Sequence, residues 1–118
     1  MALNTVLLIT LQQLKGFGNK TILELSKVLT ARTIDDLCEE WHSLNGKKYA
    51  KITEDDLYNA NQYAYRIIEA SELQGIGIIS YYDENFPEIL KNCVDEDGKP
   101  NPPIVLYYRG DINALEKP

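Results

Sequence analysis

The spacing of apolar residues along this chain changes character at Gly75, and that change limits the folds open to it more than any composition figure does. Before Gly75, apolar residues recur three and four positions apart, the period of a helix with one buried face. After it they come in short β-branched and aromatic blocks, which suit strands. The sequence therefore predicts a mainly α, four-helix N-terminal domain over 1–74 and a strand-helix-strand segment over 75–118. A chain of 118 residues suffices for one modest core with an appendage.

In "NTVLLITLQQL" the residues Val6, Leu7, Ile9, Leu11 and Leu14 are too closely spaced for a strand with one wet face, and predict a helix of about three turns starting at Asn4. After a glycine turn, Asn19 is the expected N-cap of a second helix, with Ile22, Leu25, Ser26, Val28 and Leu29 on one face. These two form a hairpin. "TIDDLCEEWHSL" predicts a third helix capped by Thr33, burying Ile34, Leu37, Cys38 and Trp41. "NGKKYAK" breaks the pattern. Thr53 then opens a long fourth helix that buries Leu57, Ala60, Ala64, Ile67 and Ile68 and is capped by Gly75.

Beyond Gly75, "IGIISYY" reads as a strand and "DENFPEILKN" as a short helix with Pro87 in its first turn. "VDEDGKPNPP" reads as a solvated acidic loop, and "IVLYYRGD" as a second strand ended by Gly110. Strand, helix, strand suggests the start of an α/β sheet. The unbroken apolar run Ile104–Tyr108 suits a strand covered on both faces, and two strands alone are marginal. The expectation is the front part of a longer protein.

Several function classes find no support. No apolar run reaches the roughly 18 to 20 residues of a membrane span, so no membrane partner is expected. Cys38 and Cys93 form neither a CxxC pair nor a zinc knuckle, which suits a reduced cytoplasm. His42, without a nucleophile or metal ligands in sequence, reads as a surface or half-buried neighbour of Trp41. Asp95, Glu96 and Asp97 lack the alternating ligands of a calcium loop. Gly75-Ile76-Gly77 runs from helix to strand, the wrong order for a dinucleotide loop, and reads as a helix cap before a strand. Tyr58, Tyr63, Tyr65, Tyr81, Tyr82, Tyr107 and Tyr108 could stack on bases, but their spacings suit core or interface positions better. No catalytic, metal or cofactor site is therefore expected, and no enzymatic activity.

The stretch "QLKGFGNKTILEL" offers a mechanism. A Gly-hydrophobic-Gly turn bends sharply, Phe17 anchors it in the core, and the amides opening the next helix can bind a phosphate oxygen. Lys15, Gly16, Gly18, Asn19, Lys20 and Thr21 would make this contact. Residues 1–34 carry Lys15, Lys20, Lys27 and Arg32 against Glu24, a balance of +3, leaving −9 for the rest of a chain whose total is −6. A polyanion would meet the N-terminal end. The overall negative charge keeps a second class open: a protein-interaction or regulatory helical module with no DNA binding of its own.

The hairpin resembles the helix-hairpin-helix pattern of DNA repair and recombination proteins, with Lys15 where proline is usual and Ile22 where alanine is common. The later segments, "GIGIISYYDENFPEIL", "PPIVLYYRGD" and "LEKP", resemble the lead-in of the DNA-processing protein A (DprA/Smf) family. The matching positions are Gly77, Asp83, Phe86-Pro87, Leu90, Pro102-Pro103, Leu106-Tyr107, Gly110 and Lys117-Pro118, with "DEDGKPN" as an insertion. That resemblance implies a helix-hairpin-helix or SAM-like domain followed by the lead-in to an extended Rossmann fold, the chain stopping before the Rossmann-like core. It also implies a role in natural transformation and recombination. Single-stranded DNA binding, dimerisation and transfer to a RecA-type recombinase would then belong mainly to the missing domain, with self-association as a further expectation.

Overall fold

In the computed structural model, which describes residues 3–44 and 46–110, Asn4 starts α1 (Thr5–Gln12) as expected, its Oδ1 accepting the Leu7 amide at 2.9 Å. Leu7 to Leu11 are buried without interruption. A helix apolar on all sides has to be surrounded. α2 (Asn19–Val28), α5 (Glu54–Leu73) and both strands pack on α1, α5 most extensively. Between α1 and α5, the buried Asn61 Nδ2 donates to Thr10 Oγ1 at 3.2 Å, and that hydroxyl donates to the Val6 carbonyl at 2.8 Å.

Two expectations for α2 are corrected. Gly18, extended at φ −94° and ψ 178°, is the N-cap, and Asn19 is already the first helical residue. Val28 is 66% exposed, and Leu23 is buried instead. At 100° per residue Val28 and Leu23 lie equally far, on opposite sides, from the stripe through Ile22, Leu25, Ser26 and Leu29, so the helical period does not choose between them. Leu23 lies on the side of α2 that meets Lys99 and Pro100.

α3 (Ile34–Trp41) is capped by Thr33, whose Oγ1 accepts the Asp36 amide at 3.2 Å, and it buries Leu37, Cys38 and Trp41. A one-turn helix, α4 (Lys47–Ala50), occupies the stretch that breaks the apolar pattern. α5 opens on a full capping box: Thr53 Oγ1 accepts the Asp56 amide and Asp56 Oδ2 accepts the Thr53 amide. It closes on Gly75 at φ +70°, where the Ile76 amide reaches the Ser71 carbonyl at 2.8 Å and the Gly75 amide the Glu72 carbonyl at 3.1 Å. This is a Schellman cap.

β1 (Gly77–Ser80) and β2 (Val105–Tyr108) pair antiparallel, Gly77 opposite Tyr108 and Ser80 opposite Val105. The strand-helix-strand pattern had suggested an α/β sheet, which is built on parallel crossovers. The helix between the strands, α6 (Glu88–Lys91), has only four residues. Residues 81–104 are long enough for a parallel crossover, but they hold only this one-turn helix and the turn bridged by Val94 and Pro100, with no helix to lie across the sheet, and the strands meet antiparallel. Pro87 is its N-cap rather than part of its first turn. No Rossmann-like layer is present among the described residues, and 111–118, including Lys117-Pro118, lie outside them.

The sheet does not stand apart from the helices. Ile104 and Val105 share one core with Leu7, Leu11, Leu37 and Leu57, while Ile79 and Phe86 form a smaller cluster beneath Tyr81 and Leu90. Ile104–Tyr108 is not covered on both faces, because Tyr107 is 46% exposed. None of the eight tyrosines is fully buried. Tyr63 and Tyr65 of α5 are each more than half exposed, which removes the core placement for these two and leaves the interface one.

Candidate functional site

The hairpin turn is built on one left-handed glycine and one buried ring. Gly16 has φ +85°, a conformation that side chains resist, whereas Gly18 is in ordinary extended backbone. Phe17 is buried between Trp41, stacked at 5.9 Å between centroids, and Tyr49, edge-on at 6.0 Å. Trp41 is held in turn, its Nε1 donating to the Tyr49 carbonyl at 2.9 Å. α3 and α4 thus clamp the ring that shapes the turn.

This clamp leaves the start of α2 open. No side chain caps it, and the first helical hydrogen bond is from the Ile22 amide to the Gly18 carbonyl at 3.0 Å. The amides of Asn19, Lys20 and Thr21 precede that bond, at the positive end of the helix dipole. Lys15 and Gly16 are exposed on the approach to the turn, and Asn19 and Thr21 are half-buried at its exit. The structure brings all six sequence-chosen residues to this one turn.

It also adds two residues that the motif did not show. Lys48 of α4 donates from Nζ to Thr21 Oγ1 at 3.0 Å and lies 5.7 Å from the Phe17 ring centroid. Asp95, from the loop expected to be merely solvated, forms an ion pair with Lys20. Lys20 first, and the Lys99 and Asp97 amides with it, hold the Asp95 carboxyl below the usual carboxylate range. The only advance signal for Lys48 was the lysine-rich "GKKYAK" stretch, and Asp95 carried none. Both contacts join residues distant in sequence. On the flank, Lys15 and Tyr63 face a groove of about 500 Å³ whose walls include Gln13, Asp56 and Asn59.

A second concavity of about 320 Å³ is lined by Cys38, Trp41, His42, Tyr49, Glu54 and Leu57. His42, exposed as expected, lies 3.1 Å from Glu54 Oε1 through Nε2. Burial, and then the Glu54 charge, push the Cys38 thiol up. A thiol kept protonated is a poor nucleophile. No cluster of metal-binding side chains occurs among the described residues.

Several of the positions on which the resemblance to the DprA lead-in was drawn have a structural role in this fold. A side chain at Gly77 would meet the Tyr108 ring at 2.4 Å. Asp83 Oδ2 accepts the Ser80 amide at 2.8 Å, and Phe86, Pro87 and Pro102 are buried. The chain matches no family model, no curated protein and no solved structure.

Proposed function

We propose that the hairpin is a weak, sequence-independent contact for the phosphate backbone of DNA, serving as an accessory module of a DNA-processing protein of the DprA kind. The observation that carries this reading is the uncapped start of α2 with the amines of Lys20 and Lys48 beside it. Free amides and a helix dipole favour a phosphate oxygen, and neither reads a base. The ordered lead-in motifs support the DNA-processing setting, in which single-stranded DNA and a RecA-type recombinase are the expected partners.

Fluorescence anisotropy with a labelled single-stranded oligonucleotide tests the reading. With about two phosphates neutralised, affinity should fall roughly tenfold between 50 and 200 mM salt. Lys20→Glu should abolish binding. Gly18→Asp should do the same by placing a carboxylate on the free amides. The absence of binding at low salt, or binding insensitive to both substitutions, refutes it.

A second reading, a protein-interaction module, is favoured by the exposed Tyr58, Tyr63 and Tyr65 on α5 and by the net charge of −6. Under it the chain self-associates or holds a protein partner through α5. Tyr63→Ser with Tyr65→Ser should then abolish a concentration-dependent rise in sedimentation coefficient that substitution of Lys15, Lys20 and Lys48 leaves intact.

A further inference from the structure

The cation best placed for a phosphate, Lys20 in the first turn of α2, is already held by an anion of the same chain. Asp95 Oδ2 takes its amine. The other oxygen, Oδ1, accepts the Asp97 amide at 2.9 Å and the Lys99 amide at 3.0 Å. The carboxylate is therefore fixed by its own loop before it meets the lysine. That loop is closed by the Asp95 amide on the Lys99 carbonyl at 2.9 Å, the Gly98 amide on the Asp95 carbonyl at 3.0 Å and the Asn101 amide on the Cys93 carbonyl at 2.9 Å. A Val94–Pro100 bridge and Gly98 at φ +78° complete the turn. Its far limb lies along α2, where Lys99 and Pro100 join Lys20, Leu23, Glu24 and Lys27 around a cleft of about 290 Å³.

We propose that the 93–101 loop is an autoinhibitory element of the hairpin, with Asp95 as an internal competitor for the amine that a DNA phosphate would use. This rests on the phosphate-binding reading given above. A carboxylate and a phosphodiester each carry one negative charge, so they compete for Lys20 directly. The carboxylate is tethered and pre-shaped, and so acts at a high effective concentration. Lys20 nevertheless keeps 46% of its side chain exposed, and Asp95 keeps 18%, so solvent and ligand reach the pair. A single phosphate gains little by displacing Asp95. A strand that also engages Lys48, Lys15 and the α2 amides gains enough to do so. The loop thereby sets a threshold that favours polyanions over free phosphate or mononucleotides.

The test compares Asp95→Asn with Asp97→Asn in the full chain, by anisotropy with a labelled single-stranded oligonucleotide at low salt. Both substitutions remove one negative charge. Asp95→Asn leaves a side-chain oxygen for the Asp97 and Lys99 amides, whereas Asp97 forms no ion pair with Lys20. Asp95→Asn should tighten binding by roughly two- to fivefold, the range of an exposed ion pair, and by more than Asp97→Asn does. The gain should vanish in a Lys20→Gln background. Asp95→Ser, which preserves the turn through its hydroxyl, should reproduce it if Asp95→Asn disturbs folding. Equal effects of Asp95→Asn and Asp97→Asn, or a gain that survives Lys20→Gln, overturn the gate. Binding that depends on Lys20 but does not respond at Asp95 overturns the gate alone and leaves the phosphate reading standing. No binding by the wild type or by any Asp95 variant overturns both.

Discussion

Replacing Phe17 by alanine probes the packing on which the hairpin depends. The ring is only 8% exposed and touches Trp41 and Tyr49 at centroid distances of 5.9 and 6.0 Å. Truncating a buried phenylalanine costs about 3–5 kcal/mol, and the lower half of that range applies because the Phe17 site opens toward Lys48 and the surface. The expected loss is about 3–4 kcal/mol, including about 1 kcal/mol from the two aromatic contacts. Phe17→Leu, which keeps most of the volume, should lose no more than about 1.5 kcal/mol. Trp41 is the chain's only tryptophan and lies against Phe17, so urea unfolding followed by tryptophan fluorescence reads the site directly. The midpoint should fall with an unchanged slope. A loss below about 1 kcal/mol is the size of an ordinary surface change, and would refute the account of Phe17 as the anchor of the turn.

The two glycines of the turn should behave differently. Gly16→Ala is expected to cost about 1–2 kcal/mol from its positive φ, while Gly18→Ala should cost less, about 0.5 kcal/mol for the poorer N-cap, because its φ of −94° suits any residue and a side chain there meets nothing within 4 Å. Equal costs in thermal unfolding would refute the distinction. Tyr58, whose hydroxyl donates to Asp35, has its phenol pushed up to about 12. The stabilisation from its protonated form is complete below about pH 10 and is lost as pH rises through about 12. Ultraviolet titration should show a last tyrosine step there, absent in Tyr58→Phe. Iodoacetamide should label Cys93 before Cys38, because burial and then Glu54 push the Cys38 thiol up. Faster labelling of Cys38 would contradict the placement of that side chain.

Local chemistry explains what was readable. Asn4, Thr33, Thr53 and Gly75 mark helix ends because their cap bonds involve residues no more than five positions away. The burial of Leu37, Cys38, Trp41, Leu57, Ala60 and Ala64 follows from the helical period alone. Where a second element chose the outcome, the sequence was less informative. Val28 had the right residue type but faced away, and the exposed tyrosines follow the face that α5 turns from α1. The direction of the strand pair was not legible, because the 81–104 connection is long enough for either pairing and only the packing of its short helix and turn selects the antiparallel one.

The turn at Gly16-Phe17-Gly18 shows the same division within a few residues. By itself, the sequence determined that the chain bends there, that a helix follows, and that lysines flank the bend, since glycine freedom, helical period and charge are local properties. Only the tertiary structure decided that Trp41 and Tyr49 grip Phe17, that Lys48 joins the site, and that Asp95 holds Lys20. Asp95 and Lys20 stand 75 positions apart, and nothing at either position specifies the other. Their meeting is set by the packing of the sheet and its loop against the helices, which depends on the whole core at once.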